Sequence, residues 1–244
     1  MPADVNDQVE EQPEVEVEEQ AARPTWSRVV VIGATLVAVL LLGATVGMLL
    51  TRSMTAAPAA SPGAGSVEVG FAQDMSVHHL QAVTMASWVR DHTTDPQVKQ
   101  LAFDIESSQT EQVGRMKGFL MLWDQPEQTV GAYMQWMTAP MAHDNAGSQM
   151  TMAPANGAPM PGMASTAELE KLRSLSGKAL DVDFLQLMLR HHQGGTAMAQ
   201  YAQDHTTSSA VKALARSIIV SQGSEMDLMT QMLRARGAEP LPAP

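Results

Sequence analysis

The chain has no cysteine, so disulfides and thiolate metal sites are excluded from the start. It also has no excess of basic residues: 15 Lys and Arg stand against 26 Asp and Glu, a formal charge of −11, so nothing in the balance favours nucleic acid, which calls for a basic face. No Glu-x-x-His occurs anywhere, which removes the ligand set of di-iron bundles. There is no nucleophile–base pair at recognisable spacing and no strand-like alternation of any length.

At 244 residues the chain has room for one or two ordinary domains, and its composition divides it unevenly. Residues 1–28 hold eight acids (Asp4, Asp7, Glu10, Glu11, Glu14, Glu16, Glu18 and Glu19) against Arg23 and Arg28. With almost no large apolar residues, this segment reads as a disordered acidic tail. Residues 29–50, "VVVIGATLVAVLLLGATVGMLL", are 22 uncharged residues between Arg28 and Arg52. As a helix they would run about 33 Å, enough to cross a bilayer core. A buried soluble helix would normally show a polar face, and this run has none. A cleaved signal peptide is the rival, because "TAAPAAS" follows with small residues; against it, signal cores are usually shorter and rarely follow so long an acidic leader. The expectation is an uncleaved single-pass anchor. Two arginines before the span and one after it favour a cytoplasmic N-terminus and an extracytoplasmic remainder.

Residues 51–66 read as a linker, rich in small residues from Thr55 onward. Beyond it lies an internal repeat. Phe71–Leu120 laid on Phe184–Leu233 at a constant offset of 113 matches 20 of 50 positions without a gap, as expected for a duplicated structural unit. The matches include Phe71/Phe184, Met75/Met188, the pairs His78-His79 and His191-His192, Met85/Met198, the two "DHTT" segments, Gln109/Gln222 and Met116/Met229. Each unit reads as two helices. Phe71, Met75, His78, Ala82 and Met85 form a single helical stripe, with His78 inside it and His79 toward its edge. "DHTTDP" breaks the helix, Asp95 caps the next one and Pro96 fits its first position, with Ser208 in the same capping place one repeat later. Val98, Leu101, Ile105, Gln109, Gln112, Met116 and Leu120 then follow one face. Their counterparts are Val211, Leu214, Ile218, Gln222, Glu225, Met229 and Leu233. The predicted fold is therefore all-α: a ferritin-like four-helix bundle over 67–238, preceded by one transmembrane helix. Its helix pairs lie at 67–123 and 181–238, joined by a long connection at 124–180.

The inner stripes contain anomalies. Histidine and glutamine, and a glutamate at position 225, sit where apolar residues belong, and a buried carboxylate is costly unless paired. A structural network, each histidine hydrogen-bonded to fix register, is one explanation. The other is a metal site, because each histidine pair has methionines at −3 and +7 from its first member. Imidazole and thioether without thiolate suit copper, with Cu(I) accepting methionine sulfur well, whereas zinc usually recruits more carboxylate or cysteine. The candidate ligands are His78, His79, Met75 and Met85; His191, His192, Met188 and Met198; and Glu225, Met116 and Met229 on the partner helices. The connection adds Met134, Met137, Met141, Met150, Met152, Met160 and Met163, with His143 among them. Gly, Pro, Ala and Asn fill the spaces, so this stretch reads as a flexible soft-metal trap or lid with few core partners. Met160, Met163 and His143 are its candidate accessory ligands.

The segment "MPGMASTAELEKLRSLSGKALDVDFLQLMLRHHQGGTAMA", Met160 to Ala199, resembles the signature of the bacterial family called domain of unknown function 305. That signature is M-x-G-M, then E-L-x-x-L, then F-x-x-x-M-x-x-H-H-x-x-A-x-x-M-A, and the resemblance extends over both halves, about residues 67–238. It implies a ferritin-like bundle, exported or membrane-anchored, with some members linked to copper binding and resistance. By motif it places Met75, His78, His79 and Met85, then Met188, His191, His192 and Met198, and Met160 with Met163, in the family's pattern. Two departures stand out. The family's Gln-x-x-Glu on the partner helix is present as Gln222 and Glu225 but becomes Gln109 and Gln112 in the first unit, which implies a neutral, weaker site there. Gly195 replaces the usual alanine, at a cost to helix stability of about 1 kcal/mol, and is expected to open space beside His191.

Three functions remain open on these residues: a membrane-tethered copper-binding protein acting in sequestration or tolerance, a ferritin-like redox enzyme, and a structural or partner-docking bundle.

Overall fold

A computed structural model of the chain describes residues 25–54, 61–138 and 157–244. Most of the predicted tail, residues 55–60 of the linker, and Met141, His143, Met150 and Met152 lie outside the described residues. The chain divides into two units, residues 1–60 and 61–244.

The first unit contains helix α1 (Thr25–Met54). Within it, Trp26–Arg52 is 27 residues long with a mean hydropathy of 2.7, and none of that span is buried against protein. By length and composition α1 can cross a membrane; it is compatible with an anchor or with a signal sequence.

The second unit is an all-α, ferritin-like four-helix bundle. Its helices are α2 (Val67–His92), α3 (Pro96–Leu122), α5 (Gly177–His205) and α6 (Ser209–Ala235), with a short α4 (Thr166–Ser174) ahead of α5. Local chemistry sets the ends. Ser66 accepts from the Val69 amide, Asp95 from the Gln97 and Val98 amides, and Ser208 from the Val211 amide, each relieving amides that the helix itself leaves unpaired. The expected caps at Asp95 and Ser208 and the Pro96 start are all present. Helix α4 is an addition to the expected long connection. Its signal is Ser165-x-x-Glu168, a reciprocal capping box in which Ser165 Oγ accepts from the Glu168 amide and Glu168 accepts from the Ser165 amide.

α2 pairs with α3, α5 with α6, and the two hairpins join through α2 against α5. Positions 113 apart make equivalent contacts. Thr93 Oγ1 donates to Asp181 at 2.5 Å, and Thr206 Oγ1 donates to Glu68 at 2.7 Å, so α2 and α5 run antiparallel and are clasped at both ends. Gln73 donates to the Pro126 carbonyl at 2.7 Å, and Gln186 to the Glu239 carbonyl at 2.6 Å, tying down the chain that leaves each hairpin.

The buried apolar residues fall into two cores. One takes Phe71 and Met75 of α2, Met116 and Leu120 of α3, Met198 of α5, and Leu214 and Ile218 of α6. The other takes Met85 and Val89 of α2, Leu101 and Ile105 of α3, Phe184 and Met188 of α5, and Met229 and Leu233 of α6. Between them every helix changes to polar residues: His78 and His79, Gln109 and Gln112, His191 and His192, Gln222 and Glu225. This polar waist is the middle of the bundle.

Part of the connection packs as core, which corrects the expectation of a loop with few partners. Met134, Met160 and Met163 are buried, at 2%, 0% and 3% exposure. Asp74, fully buried in α2, accepts from the Met134 amide at 2.7 Å, from the Trp136 indole at 2.9 Å and from Thr129 Oγ1. Trp136 lies against Gly70, where any Cβ would come within 2.4 Å of the ring. The segment Met160–Ala164 forms a strap over α2 and α5. Gln81 on α2 exchanges two hydrogen bonds with Ala164, at 2.7 and 2.9 Å. Arg190 on α5 donates to Glu168 at 2.8 and 2.9 Å. Backbone meets backbone where the strap crosses α5: a Cβ on Gly194 would lie 2.1 Å from the Pro161 oxygen. Gly194→Ala should therefore displace the strap and cost about 1–3 kcal/mol, read as a lower urea midpoint at unchanged m-value. An unchanged midpoint would mean that the strap is not docked there.

Candidate metal centre

The four paired histidines are fully buried, His79 and His192 as much as His78 and His191. This corrects the placement of His79 at the edge of the stripe: α2 is covered on a second side by α3, so both neighbours in the helix turn inward. Each ring has one nitrogen engaged. His78 Nε2 lies 3.1 Å from the Pro161 carbonyl oxygen, and His191 Nε2 lies 3.0 Å from the His78 carbonyl oxygen. His79 Nε2 meets Gln112 Oε1 at 2.7 Å, and His192 Nε2 meets Glu225 Oε2 at 2.6 Å. All four partners are oxygen acceptors, so in each case Nε2 carries the proton and Nδ1 carries the lone pair. All four Nδ1 atoms are buried without a partner.

Burial holds three of these rings, those of His78, His79 and His191, neutral. It lowers the His78 pKa to about 4, with a smaller repulsion from His192 in the same direction and the Pro161 contact opposing. Burial, with repulsion from His78 next, lowers His79 to about 3. His191 is pushed well below the ordinary imidazole value by burial, then by His78, His192 and His79 in turn. The rings of His78 and His191 sit 3.9 Å apart between centroids, across the α2–α5 contact. His78, His79 and His191, neutral and with buried lone pairs, can donate to a cation without first losing protons near neutral pH.

Sulfur surrounds this layer. Met75, Met116, Met188 and Met229 are fully buried, and Met85 and Met198 are 1% exposed. Met75 stands three and four residues before His78 and His79, and Met188 likewise before His191 and His192, the spacing that brings helical side chains together. Met116 and Met229 stand four residues after Gln112 and Glu225, the partners of the outer histidines. Met198 shares a core with Met75 and Met116, and Met85 with Met188 and Met229, so each core mixes sulfurs of both halves. Of the accessory candidates, Met160 and Met163 belong to the first of these cores, while His143 lies outside the described residues. Glu225 is only partly buried, its side chain 16% exposed. Among the described residues no three of His, Asp and Glu are grouped to hold one ion, so nitrogen and carboxylate alone do not complete a coordination shell. The donor set is suited to a soft ion that takes imidazole nitrogen together with thioether sulfur.

Sequence patterning did not reveal the Pro161 carbonyl, which pairs with His78 from 83 residues away. Its trace in the sequence is the Gly162 and Gly194 pair, two glycines that let the strap approach α5. Gly195 faces His78 and Gln222, not His191 as expected, because α5 turns that position toward α2 and α6; a Cβ there would lie 3.0 Å from Gln222 Oε1 and 3.2 Å from His78 Cε1. The remaining described histidines, His92 and His205, are exposed; each donates through Nδ1 to a carbonyl four residues earlier, at 2.7 and 2.9 Å, and stacks on Trp88 or Tyr201.

Residues 68–233 match the family DUF305, domain of unknown function. The crystal structure of a DUF305 protein from Streptomyces coelicolor is 42% identical, with a TM-score of 0.64, and covers 74% of this chain and 99% of that one. A DUF305 fragment from Deinococcus radiodurans is 34% identical, with a TM-score of 0.55, covering 71% and 99%. CopM in a Cu(I)-bound form shares the fold at 22% identity and a TM-score of 0.51, over 69% of this chain and 96% of that one. Uncharacterized protein L153 of Acanthamoeba polyphaga mimivirus is 40% identical over 50 residues, 20% of this chain; the match spans 33% of that relative.

The buried neutral histidines make stability depend on pH. Their folded pKa values lie below the unfolded value of 6.5, so the unfolded chain takes up protons first as pH falls. Stability is full above about pH 6.5 and falls below it by about 1.4 kcal/mol per pH unit for each such histidine. Glu168 behaves differently: burial raises its pKa, but the Arg190 and Ser165 hydrogen bonds outweigh that and lower it from 4.5 to about 2, so its contribution is full above about pH 4.5 and is lost as pH falls from there toward 2. Urea midpoints between about pH 7.5 and 5 therefore report the histidines, and His79→Gln should lessen the slope by about one proton. A slope unchanged by His79→Gln would show that His79 is not buried neutral.

Proposed function

The chain belongs to the DUF305 family, and on that footing we propose that it is a membrane-anchored, extracytoplasmic protein that binds a soft metal ion, copper first, in sequestration or tolerance. The observation that supports this most is the layer of four buried imidazoles, each with Nε2 tied to an oxygen and Nδ1 left unpartnered. Metal-binding histidines commonly donate their second nitrogen to a carbonyl or carboxylate, which fixes the tautomer and the ring direction. Purely structural histidines would leave four buried ring nitrogens unsatisfied, at a cost of about 1–3 kcal/mol each. The residues that would hold an ion are the paired histidines with their methionines: His78 and His79 with Met75 and Met116 in the first half, and His191 and His192 with Met188 and Met229 in the second. Met85 and Met198 lie beside the same layer, with Met160 and Met163 under the strap and His143 on the Met-rich connection. Glu225 would act through His192, giving the second half a negative charge that Gln112 denies the first. CopM, in its Cu(I)-bound form, has the same fold, so this architecture is one that accommodates copper.

In this reading residues 1–28 are a cytoplasmic tail, 29–50 the transmembrane span, 51–66 a tether and 67–238 the metal-binding bundle. α1 supports it through its apolar, unburied surface and through Arg28 and Arg52 at the ends of the apolar run. Protease added to intact cells should digest residues 66–244 and spare the acidic leader. A product released whole into the medium and starting near residue 60 would replace the anchor with a signal peptide.

The double variant His78→Leu/His191→Leu tests the histidines directly. Without metal it should melt at or above the parent temperature, because buried polar groups have been removed. Cu(I) should raise the melting temperature of the parent by binding the folded state, and raise that of the variant much less. An equal rise in both would discard these two histidines as ligands, and no rise in the parent would discard metal binding.

A further inference from the structure

The two helix pairs end differently. α3 finishes in "FLMLWD", residues 119–124, whereas the matching stretch of α6, residues 232–237, is "MLRARG". Met121, Leu122 and Trp123 therefore stand where the second half has Arg234, Ala235 and Arg236. The second set suits a solvated helix end: Arg234 is exposed, and Arg236 pairs with Asp95 at the start of α3 while donating to the Met232 carbonyl. The first half breaks that rule. Met121 is 76% exposed, Leu122 is 74% exposed, and Val130, on the loop that leaves the hairpin, is 87% exposed. These are the most exposed large apolar side chains among the described residues of the bundle. Behind them Phe119 and Trp123 stack at 5.5 Å between centroids, partly buried against one of the two cores. A single exposed apolar residue needs no explanation, but three gathered at one end of the bundle with an aromatic pair mark a contact surface.

That end is also where the chain from α1 enters the bundle. Twelve residues, 55–66, join α1 to Val67, and Val67 packs against the same core as Phe119 and Trp123. The arginines of α6 lie at the other end, beside Asp95 and the α2–α3 turn. Charge near the apolar tip is sparse and balanced: Lys117 and Glu127 pair at 2.6 Å one turn behind Met121, with Asp124 exposed beyond them. We propose that this end of the bundle is a lipid-contact surface, with Met121, Leu122 and Val130 entering the interfacial layer of a bilayer and the Phe119–Trp123 pair behind them at the headgroup boundary. The inference rests on the membrane-anchor reading above and adds to it a second point of attachment. A patch confined to the end that the linker enters, and replaced by arginines at the repeat-related end, fits a lipid surface better than a second copy of the chain. Apolar contact drives the insertion, because the tip has no excess of basic residues to attract anionic headgroups.

The chain has no cysteine, so a single introduced cysteine can carry a spin label without competition. Met121→Cys and its repeat partner Arg234→Cys are both at exposed positions, so neither label disturbs the core. In the full-length chain reconstituted into phosphatidylcholine vesicles, the label at 121 should favour lipid-dissolved oxygen over a water-soluble nickel chelate about fivefold more than the label at 234 does. The contrast should persist in high salt and when phosphatidylglycerol is mixed in, since attraction to headgroups does not carry it. Leu122→Ser with Val130→Ser, added to the Met121→Cys chain, should return the label to the chelate through a loss of about tenfold or more in partitioning. Equal chelate access at 121 and 234, in a chain that carbonate washing leaves in the vesicles, would overturn the lipid contact and leave the anchor standing. Mutual broadening of labels at 121, with shielding from both oxygen and chelate, would overturn it in favour of a second copy of the chain. Release of the whole chain by carbonate would overturn the anchor reading, and this inference with it.

Discussion

Four buried imidazoles share the middle of a helical bundle, each held by one nitrogen and open at the other, and the surrounding structure is arranged around that constraint. A polar layer of this kind interrupts the hydrophobic core, so the apolar residues divide into one cluster above it and one below. Burying the rings of His78, His79 and His191 lowers their pKa values, which keeps those three neutral. The helices that carry the rings then need anchoring away from the waist. Threonine–carboxylate clasps at both ends of the α2–α5 contact supply it, Thr93 with Asp181 and Thr206 with Glu68.

The two halves are alike in outline and unequal in detail. Equivalent contacts recur at an offset of 113 for the clasps, for Gln73 and Gln186, and for the outer histidines with their partners at 112 and 225. The strap breaks this equivalence because only one segment can cross the α2–α5 contact. It selects His78 through the Pro161 carbonyl, and His191 turns to the His78 backbone instead. Gly194 in place of Gln81, and Gly195 in place of Ala82, are the local changes that accompany it. A charge difference follows the same division, since Glu225 stands where the first half has Gln112.

Much of this architecture is legible in the chain before any coordinates. The 3.6-residue spacing of Phe71, Met75, His78, Ala82 and Met85 places one face of α2, and Asp95-Pro96 places the start of α3, because both depend on interactions within a few residues. The capping box at Ser165 and Glu168 was equally local, so α4 could have been read from it. The candidate ligands on α2, α3, α5 and α6 fall on inner faces for the same reason, Glu225 being the partly exposed one.

What sequence alone determined, then, was the set of helices, the faces they bury and the residue types available as donors. Tertiary structure decided how those donors are used: which ring nitrogen is occupied, which is left unpartnered, and which glycine lies under the strap. These depend on contacts between residues 83 and 113 positions apart, such as Pro161 with His78 and His191 with the His78 carbonyl. No periodicity encodes such pairings, because they arise only when the two hairpins and the strap between them compete for the same space.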